Sequence, residues 1–185
     1  MYIIVGLGNP EPEYARTRHN MGFDTVNLLA KRNEIELTRS KFQSIYGTGM
    51  IQGEKVILVK PQTYMNLSGE SIREWLAFYK LTPKDLVVIY DDMDVEKGTI
   101  KIRKQGGPGS HNGMKSVVHE IGTTDFARIR IGLGEPEEEE SGVDFVIGPL
   151  KEEQYNQLKP GIEKATDAIE TILKEGIDRA MNQFN

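Results

Sequence analysis

Histidine followed by asparagine occurs twice in this chain, as His19-Asn20-Met21-Gly22 and as His111-Asn112-Gly113, although its 185 residues hold only three histidines and no cysteine. Imidazole titrates near neutral pH, so a histidine set among Asn, Arg and Gly points to acid/base chemistry. The same residue also serves as a loop or capping group, and both readings stand at this point. Without cysteine there is no thiolate nucleophile, no disulfide and no thiolate metal site, a composition compatible with a reducing compartment. Ser68 and Ser110 adjoin glycine without the Gly-x-Ser-x-Gly spacing, so a serine nucleophile has no support. Asp91, Asp92 and Asp94 are candidate metal ligands, but neither a His-x-x-x-His motif nor a cysteine pair accompanies them and the calcium-loop spacing fails, so a metal is not favoured. What remains is attack by water. A histidine would act as base, a carboxylate would fix its tautomer, and side-chain amides would bind a substrate carbonyl and its oxyanion.

Those residues must be carried by a scaffold. Short β-branched runs at 2–5, 56–59, 86–90, 100–103, 128–133 and 143–147 read as strands. Segments with helical spacing lie at 22–31, 67–79, 113–121 and 162–181. The alternation predicts an α/β fold: a single-domain three-layer sandwich over residues 1–185, with a mixed, largely parallel twisted sheet and helices on both faces. Gln52-Gly53-Glu54 links two strand-like runs and predicts a hairpin, hence some antiparallel pairing. Ile162, Ala165, Ile169, Ile172, Leu173 and Ile177 form the apolar stripe of a C-terminal amphipathic helix. The amino terminus fits neither a signal peptide nor a membrane span.

The polar segments fall at strand ends, where an open α/β sheet places its binding crevice. Gly6-Leu7-Gly8-Asn9-Pro10 follows the first strand, Lys60-Pro61-Gln62-Thr63-Tyr64-Met65-Asn66 follows a second, and Asp91-Asp92-Met93-Asp94 closes a third. Gly6-Leu7-Gly8 is not a dinucleotide fingerprint, since Glu11 stands where the third glycine belongs and Pro10 interrupts the helix. The net charge of −5 is unevenly spread: residues 1–134 hold 18 Lys and Arg against 15 Asp and Glu, whereas residues 135–185 hold 5 against 13. The acidity therefore belongs to the C-terminal part, with 137–140 read as a solvated loop, and the net positive residues 1–134 have the charge to form a basic face for phosphates.

Six ordered segments carry a resemblance to a known family. They are Gly6-Leu7-Gly8-Asn9-Pro10, the stretch from Tyr14 through Arg18-His19-Asn20 to Gly22, Thr63-Tyr64-Met65-Asn66-Leu67-Ser68-Gly69, Asp91-Asp92-Met93-Asp94, Gly109-Ser110-His111-Asn112-Gly113-Met114-Lys115, and Arg128-Ile129-Arg130-Ile131-Gly132-Leu133-Gly134. Their order and spacing resemble bacterial-type peptidyl-tRNA hydrolases from the first strand to about Gly148. The resemblance implies a cofactor-free, metal-independent, monomeric enzyme of the cytoplasm. Such an enzyme hydrolyses the ester joining a peptide to the 3′-terminal ribose of tRNA, recycling tRNA from peptidyl-tRNA released prematurely by ribosomes. On that resemblance His19 is the general base, Asp91 orients it, and Asn9, a third catalytic residue, distinguishes a blocked α-nitrogen from a free amine. Asn66 and Asn112 hold the substrate backbone and support the oxyanion, and Tyr14, Tyr64 and Met65 line the cleft. Arg103 and Arg130, beside Lys101, clamp the tRNA 5′ phosphate.

Plainer readings stand beside these. Asn66 is placed to cap the following helix, Tyr14, Tyr64 and Met65 suit core packing, and the arginines suit a solvated strand face. His111 is assigned to shaping the Asn112 loop and His119 to a helix surface. Four positions depart from or vary within the family pattern: Pro108 and Ser110 occupy a loop that is commonly glycine-rich, Tyr90 stands where some relatives have histidine, and Arg103 where many have lysine. The runners-up are a non-catalytic RNA-binding protein on this fold and a nucleoside phosphorylase of overlapping architecture.

Overall fold

The computed structural model describes residues 1–136 and 142–185, so the expected solvated loop at 137–140 lies outside the described residues. The elements run β1 (Tyr2–Gly6), α1 (Met21–Arg32), β2 (Arg39–Lys41), β3 (Ser44–Ile51), β4 (Glu54–Pro61), α2 (Ser68–Phe78), β5 (Leu86–Asp92), β6 (Ile100–Arg103), α3 (Asn112–Ile121), β7 (Ala127–Gly132), α4 (Gly142–Ile147), α5 (Glu152–Glu175) and α6 (Ile177–Phe184). Among the described residues the strands form one sheet in the order β2-β3-β4-β1-β5-β7-β6. β4, β1, β5 and β7 run parallel, whereas β2, β3 and β6 pair antiparallel at the two ends. This is the expected mixed α/β sandwich.

Both faces of the central strands are covered, which is why they read as unbroken apolar runs. Ile4, Val56, Leu58, Val87 and Ile89 pack under α1, α5 and α6, while Ile3, Val5, Ile57, Val59 and Val88 pack against α2 and α3. β6 and β7 are two-sided instead. Ile100, Ile102, Ile129 and Ile131 join the first core, and the alternate positions Lys101, Arg103, Arg128 and Arg130 occupy the other face. No residue of β6 or β7 contributes to the core beneath α2 and α3, so charged side chains occur where helices leave the sheet uncovered.

The start of α1 is set by glycine. A Cβ on Gly6 would lie 2.1 Å from the Gly22 carbonyl oxygen, and one on Gly22 would lie 2.5 Å from both the Leu7 nitrogen and the Ile89 oxygen. The first turn of α1 therefore rests directly on the backbone of β1 and β5, and the residues just before it overhang the end of β5.

Several expectations change. Residues 143–147 form helix α4, not a strand: Phe145 is buried and the Arg18 guanidinium lies 3.9 Å from its ring centre, so tertiary packing overrides the β-branched composition. The C-terminal helix begins at Glu152, ahead of Pro160, and breaks at Gly176, whose φ of +92° ends α5 and starts α6 at a new angle. The Gln52-Gly53 hairpin is present, with both residues left-handed. A second two-residue turn, Phe42-Gln43, joins β2 to β3 without glycine, so no composition signal marked it. No helix among the described residues is long and apolar enough to cross a membrane.

The contact between α1 and the sheet gives a direct test. Gly22→Ala should lower stability by about 1–3 kcal/mol or more, because backbone must move to admit the methyl group. Urea unfolding measures this, and an unchanged midpoint would contradict the close approach.

Candidate active site

The last residues of β5 carry the centre of the site. Asp91 is 2% exposed and receives hydrogen bonds from two imidazoles. His19 Nδ1 lies 2.9 Å from Oδ2 and 3.1 Å from Oδ1, and His111 Nε2 lies 3.0 Å from Oδ1. His19 comes from the 3₁₀ turn Arg18–Asn20 that feeds α1, and His111 is the N-cap of α3. The cap fixes a tautomer: His111 Nδ1 accepts the Met114 N–H at 3.2 Å, so its Nε2 carries the proton given to Asp91. An ionised carboxylate only accepts, so His19 must donate from Nδ1, which leaves the Nε2 lone pair of neutral His19 as its basic atom.

The electrostatics agree. Burial alone would push the Asp91 carboxyl up, but electrostatic attraction to the two imidazoles and their hydrogen bonds reverse this and hold it well below the usual carboxylate range. Burial opposes a charged His19. The Asp91 charge and hydrogen bond outweigh it and raise the His19 pKa above its ordinary value. Tyr90, buried and pushed up by burial, sets its ring edge-on to His111 at 5.0 Å between centres.

Asn9 is held by two neighbours. Buried Asn20 accepts the Asn9 N–H at 2.8 Å and donates to the Asn9 carbonyl at 3.0 Å, a two-point clamp on the backbone. Asn9 Oδ1 accepts the Met65 N–H at 3.2 Å, leaving its Nδ2 as the remaining donor. Met65 is buried, and its sulfur lies where a Cβ on Gly113 would come within 2.6 Å. The loops bearing Asn9, Asn66 and Asn112 are thus tied together. Asn66 is exposed within the turn Met65–Leu67, and Leu67 stands at the N-cap of α2, so Asn66 does not cap the helix. Asn112 is the exposed first residue of α3. Tyr64 is 67% exposed and Tyr14 half-buried.

A cavity of about 540 Å³ opens over His19, Asp91 and Asn112 and extends to Arg103, Arg130 and Arg128. Lys101, Asn9, Asn66, Tyr14, Tyr64 and Met65 lie outside its lining. Lys101 sits opposite Arg130 in register but reaches the Asn185 carbonyl at 3.4 Å. Arg130 gives its Nε–H to Asp92 at 2.7 Å, which outweighs burial and raises its pKa. Arg103 is exposed and donates to the Ile102 carbonyl at 3.0 Å. Val143 and Val146 of α4 close one wall, fastened by Arg18 through the Phe145 carbonyl at 3.0 Å.

Sequence reasoning gave no role to Arg128 or Asn20, and assigned His111 only to shaping the Asn112 loop, where it caps α3. Arg128 is 1% exposed and spends its guanidinium on the Gly106, Thr124 and Phe126 carbonyls, so it pins the loop that leads to His111. The contact of His111 with Asp91 and the clamp of Asn20 on Asn9 were likewise absent from it. The repeated His-Asn pair was their only trace. His19, Asp91 and His111 are the one group among the described residues whose donor atoms lie close enough to hold a metal ion, within 4.8 Å. An ion there would have to displace the hydrogen bonds that join them.

The likenesses of the chain bear on this geometry. The family model described as Peptidyl-tRNA hydrolase matches residues 3–185. A peptidyl-tRNA hydrolase of Alkaliphilus metalliredigens is 51% identical over 185 residues, all of both chains. The crystal structure of peptidyl-tRNA hydrolase from Acinetobacter baumannii superposes with a TM-score of 0.92 at 38% identity, over 99% of this chain and 93% of that one. Uridine phosphorylase from Vibrio fischeri reaches a TM-score of 0.55 at 11% identity, over 94% of this chain and 92% of that one, a likeness of fold alone.

Two tests follow from the imidazole pair. Protonated His19, its pKa raised by the fold, contributes stability that is complete below about pH 6.5 and lost as pH rises through the raised value. His19→Ala should therefore cost more stability at about pH 5.5 than at about pH 8.5, and an equal cost in urea unfolding at both would deny the Asp91 contact. His111→Ala should cost about 1–2 kcal/mol through the lost cap, and His111→Asn, which can cap but lacks the imidazole, should recover most of it in the same assay.

Proposed function

The chain belongs to the peptidyl-tRNA hydrolase family and hydrolyses peptidyl-tRNA, and we propose that His19 is the base that activates the attacking water. The observation that carries this reading is the 2.9 Å hydrogen bond that His19 Nδ1 donates to Asp91, which leaves Nε2 as the basic atom of a residue lining the cavity. Nε2 removes a proton from water as the oxygen attacks the ester carbonyl. The carbonyl π electrons move to oxygen, and the side-chain amides of Asn66 and Asn112 donate to that oxyanion. Collapse expels the ribose 3′-oxygen, which takes the proton from the His19 imidazolium, and peptide acid and free tRNA leave. Asp91 stabilises the imidazolium between these steps.

Asn9 reads the α-nitrogen. A peptide amide is neutral, whereas the ammonium of an aminoacyl-tRNA meets the remaining Nδ2–H donor of Asn9, and an unpaired buried polar group costs about 1–3 kcal/mol. Tyr14, Tyr64 and Met65 flank the peptide and the terminal adenosine, the two tyrosines by stacking and buried Met65 by shaping the loop. Arg103 and Arg130, with Lys101 adding charge from the same face, grip the tRNA 5′ phosphate at the far end of the cavity. The whole chain acts as one domain, as a monomer in the cytoplasm, and without a metal. Its support is that one chain supplies every group the chemistry uses.

The test compares release of the acyl group from N-acetyl-aminoacyl-tRNA and from unblocked aminoacyl-tRNA, with EDTA present. Cleavage of the blocked substrate alone, reduced about 10²–10⁴-fold by His19→Ala with tRNA binding kept, is the expected result. The rate should rise with pH through the raised His19 pKa, as the neutral base forms. Arg103→Ala or Arg130→Ala should weaken binding and lower its salt dependence. Binding of tRNA with no cleavage of either substrate would favour the non-catalytic reading.

A further inference from the structure

Asp92 follows the carboxylate that orients His19, points to the other face of β5, and has no part in the reaction described above. Both of its oxygens are engaged. Oδ1 accepts the backbone N–H of Asp94 at 2.8 Å, so the turn after β5 fixes the carboxylate, and Oδ2 accepts the Nε–H of Arg130 at 2.7 Å. The pair is largely buried, with side chains 17% and 24% exposed, and both residues line the cavity. The register explains the reach: Tyr90 pairs with Arg130 and Asp92 with Gly132, so Asp92 stands one side-chain repeat beyond Arg130 on the same face.

A guanidinium has five N–H donors, and the one used here is Nε. Among the described residues none accepts from the four on Nη1 and Nη2, which serve a planar, bidentate grip on an anion. We propose that Asp92 is a positioning residue for the phosphate clamp: it holds Arg130 by Nε and presents the terminal nitrogens to the tRNA 5′ phosphate. This rests on the reading of Arg103 and Arg130 as that clamp. Without Asp92 the guanidinium is left beside Asp94 and the end of β5, and ordering it would then draw on the binding energy of each substrate. Consecutive residues of one rigid strand thus hold the two ends of the substrate. Asp91 holds the base at the ester, Asp92 holds the arginine at the phosphate, and the spacing between them is that of β5 itself.

The test is the preference for a 5′ phosphate, measured as the ratio of kcat/KM on N-acetyl-aminoacyl-tRNA before and after phosphatase treatment. Because the ratio is taken within one protein sample, any inactive fraction cancels. Asp92→Asn cannot accept at both positions, since one carboxylate oxygen becomes an NH₂ donor, and should lower the ratio about tenfold, chiefly through KM. Asp92→Glu, which keeps a carboxylate near Nε, should restore part of it. Arg130→Lys keeps the charge without Nε or the fork and should lose the preference as Asp92→Asn does, an independent route should Asp92→Asn fail to fold. A wild-type preference that survives in Asp92→Asn, or equal losses on both substrates, would overturn the proposal and leave the clamp standing. A wild type indifferent to the phosphate would remove the clamp reading and this proposal with it.

Discussion

One buried carboxylate organises this molecule. Taking Asp91 out of water costs several kcal/mol, and two imidazole N–H groups offset that cost by charge-assisted hydrogen bonds. The histidines are not equivalent. His111 is committed at both nitrogens, to Asp91 and to the first turn of α3, and so serves as a strut that fixes the carboxylate. His19 is committed at one nitrogen only, and its basicity is raised by the same carboxylate. The asymmetry assigns the chemistry: one imidazole can take a proton, and the other keeps the acceptor in place.

The sheet makes this arrangement available. β1 has parallel neighbours on both sides, β4 and β5, so the loops that leave their carboxyl ends meet in one crevice. Gly6 and Gly22 let α1 begin against the strand backbone, which brings His19 over the end of β5. Asn20 and Met65 then lock the loops after β1 and β4 to one another. On the far side, β6 and β7 lack a helix over one face, and their alternate arginines turn that bare face into a basic wall of the same cavity.

Much of this was legible in the residues. The apolar runs at β1, β4 and β5 could pack only as doubly covered strands, and alternation placed Lys101 with Arg103 on one face. The pairing of His19 with Asp91 came from the family resemblance, since two residues 72 positions apart carry no local signal of it. Contacts of this kind depend on tertiary folding, and so do the second imidazole on Asp91 and the carbonyl cage around Arg128. Local rules failed most clearly at 143–147, where a β-branched run became helical because Phe145 packs beneath Arg18. They also failed at Glu152, where α5 starts well ahead of a proline that reads as a boundary.

The central claim is that Asp91 holds two neutral imidazoles in opposite tautomers, and nitrogen-15 NMR of the three histidines reads this directly. Above the His19 pKa, long-range proton–nitrogen correlations should show His19 protonated at Nδ1 with Nε2 bare, and His111 protonated at Nε2 with Nδ1 accepting. Asp91→Asn should release the His19 preference. A neutral His19 protonated mainly at Nε2 would leave no lone pair facing the cleft and would contradict the account at its base.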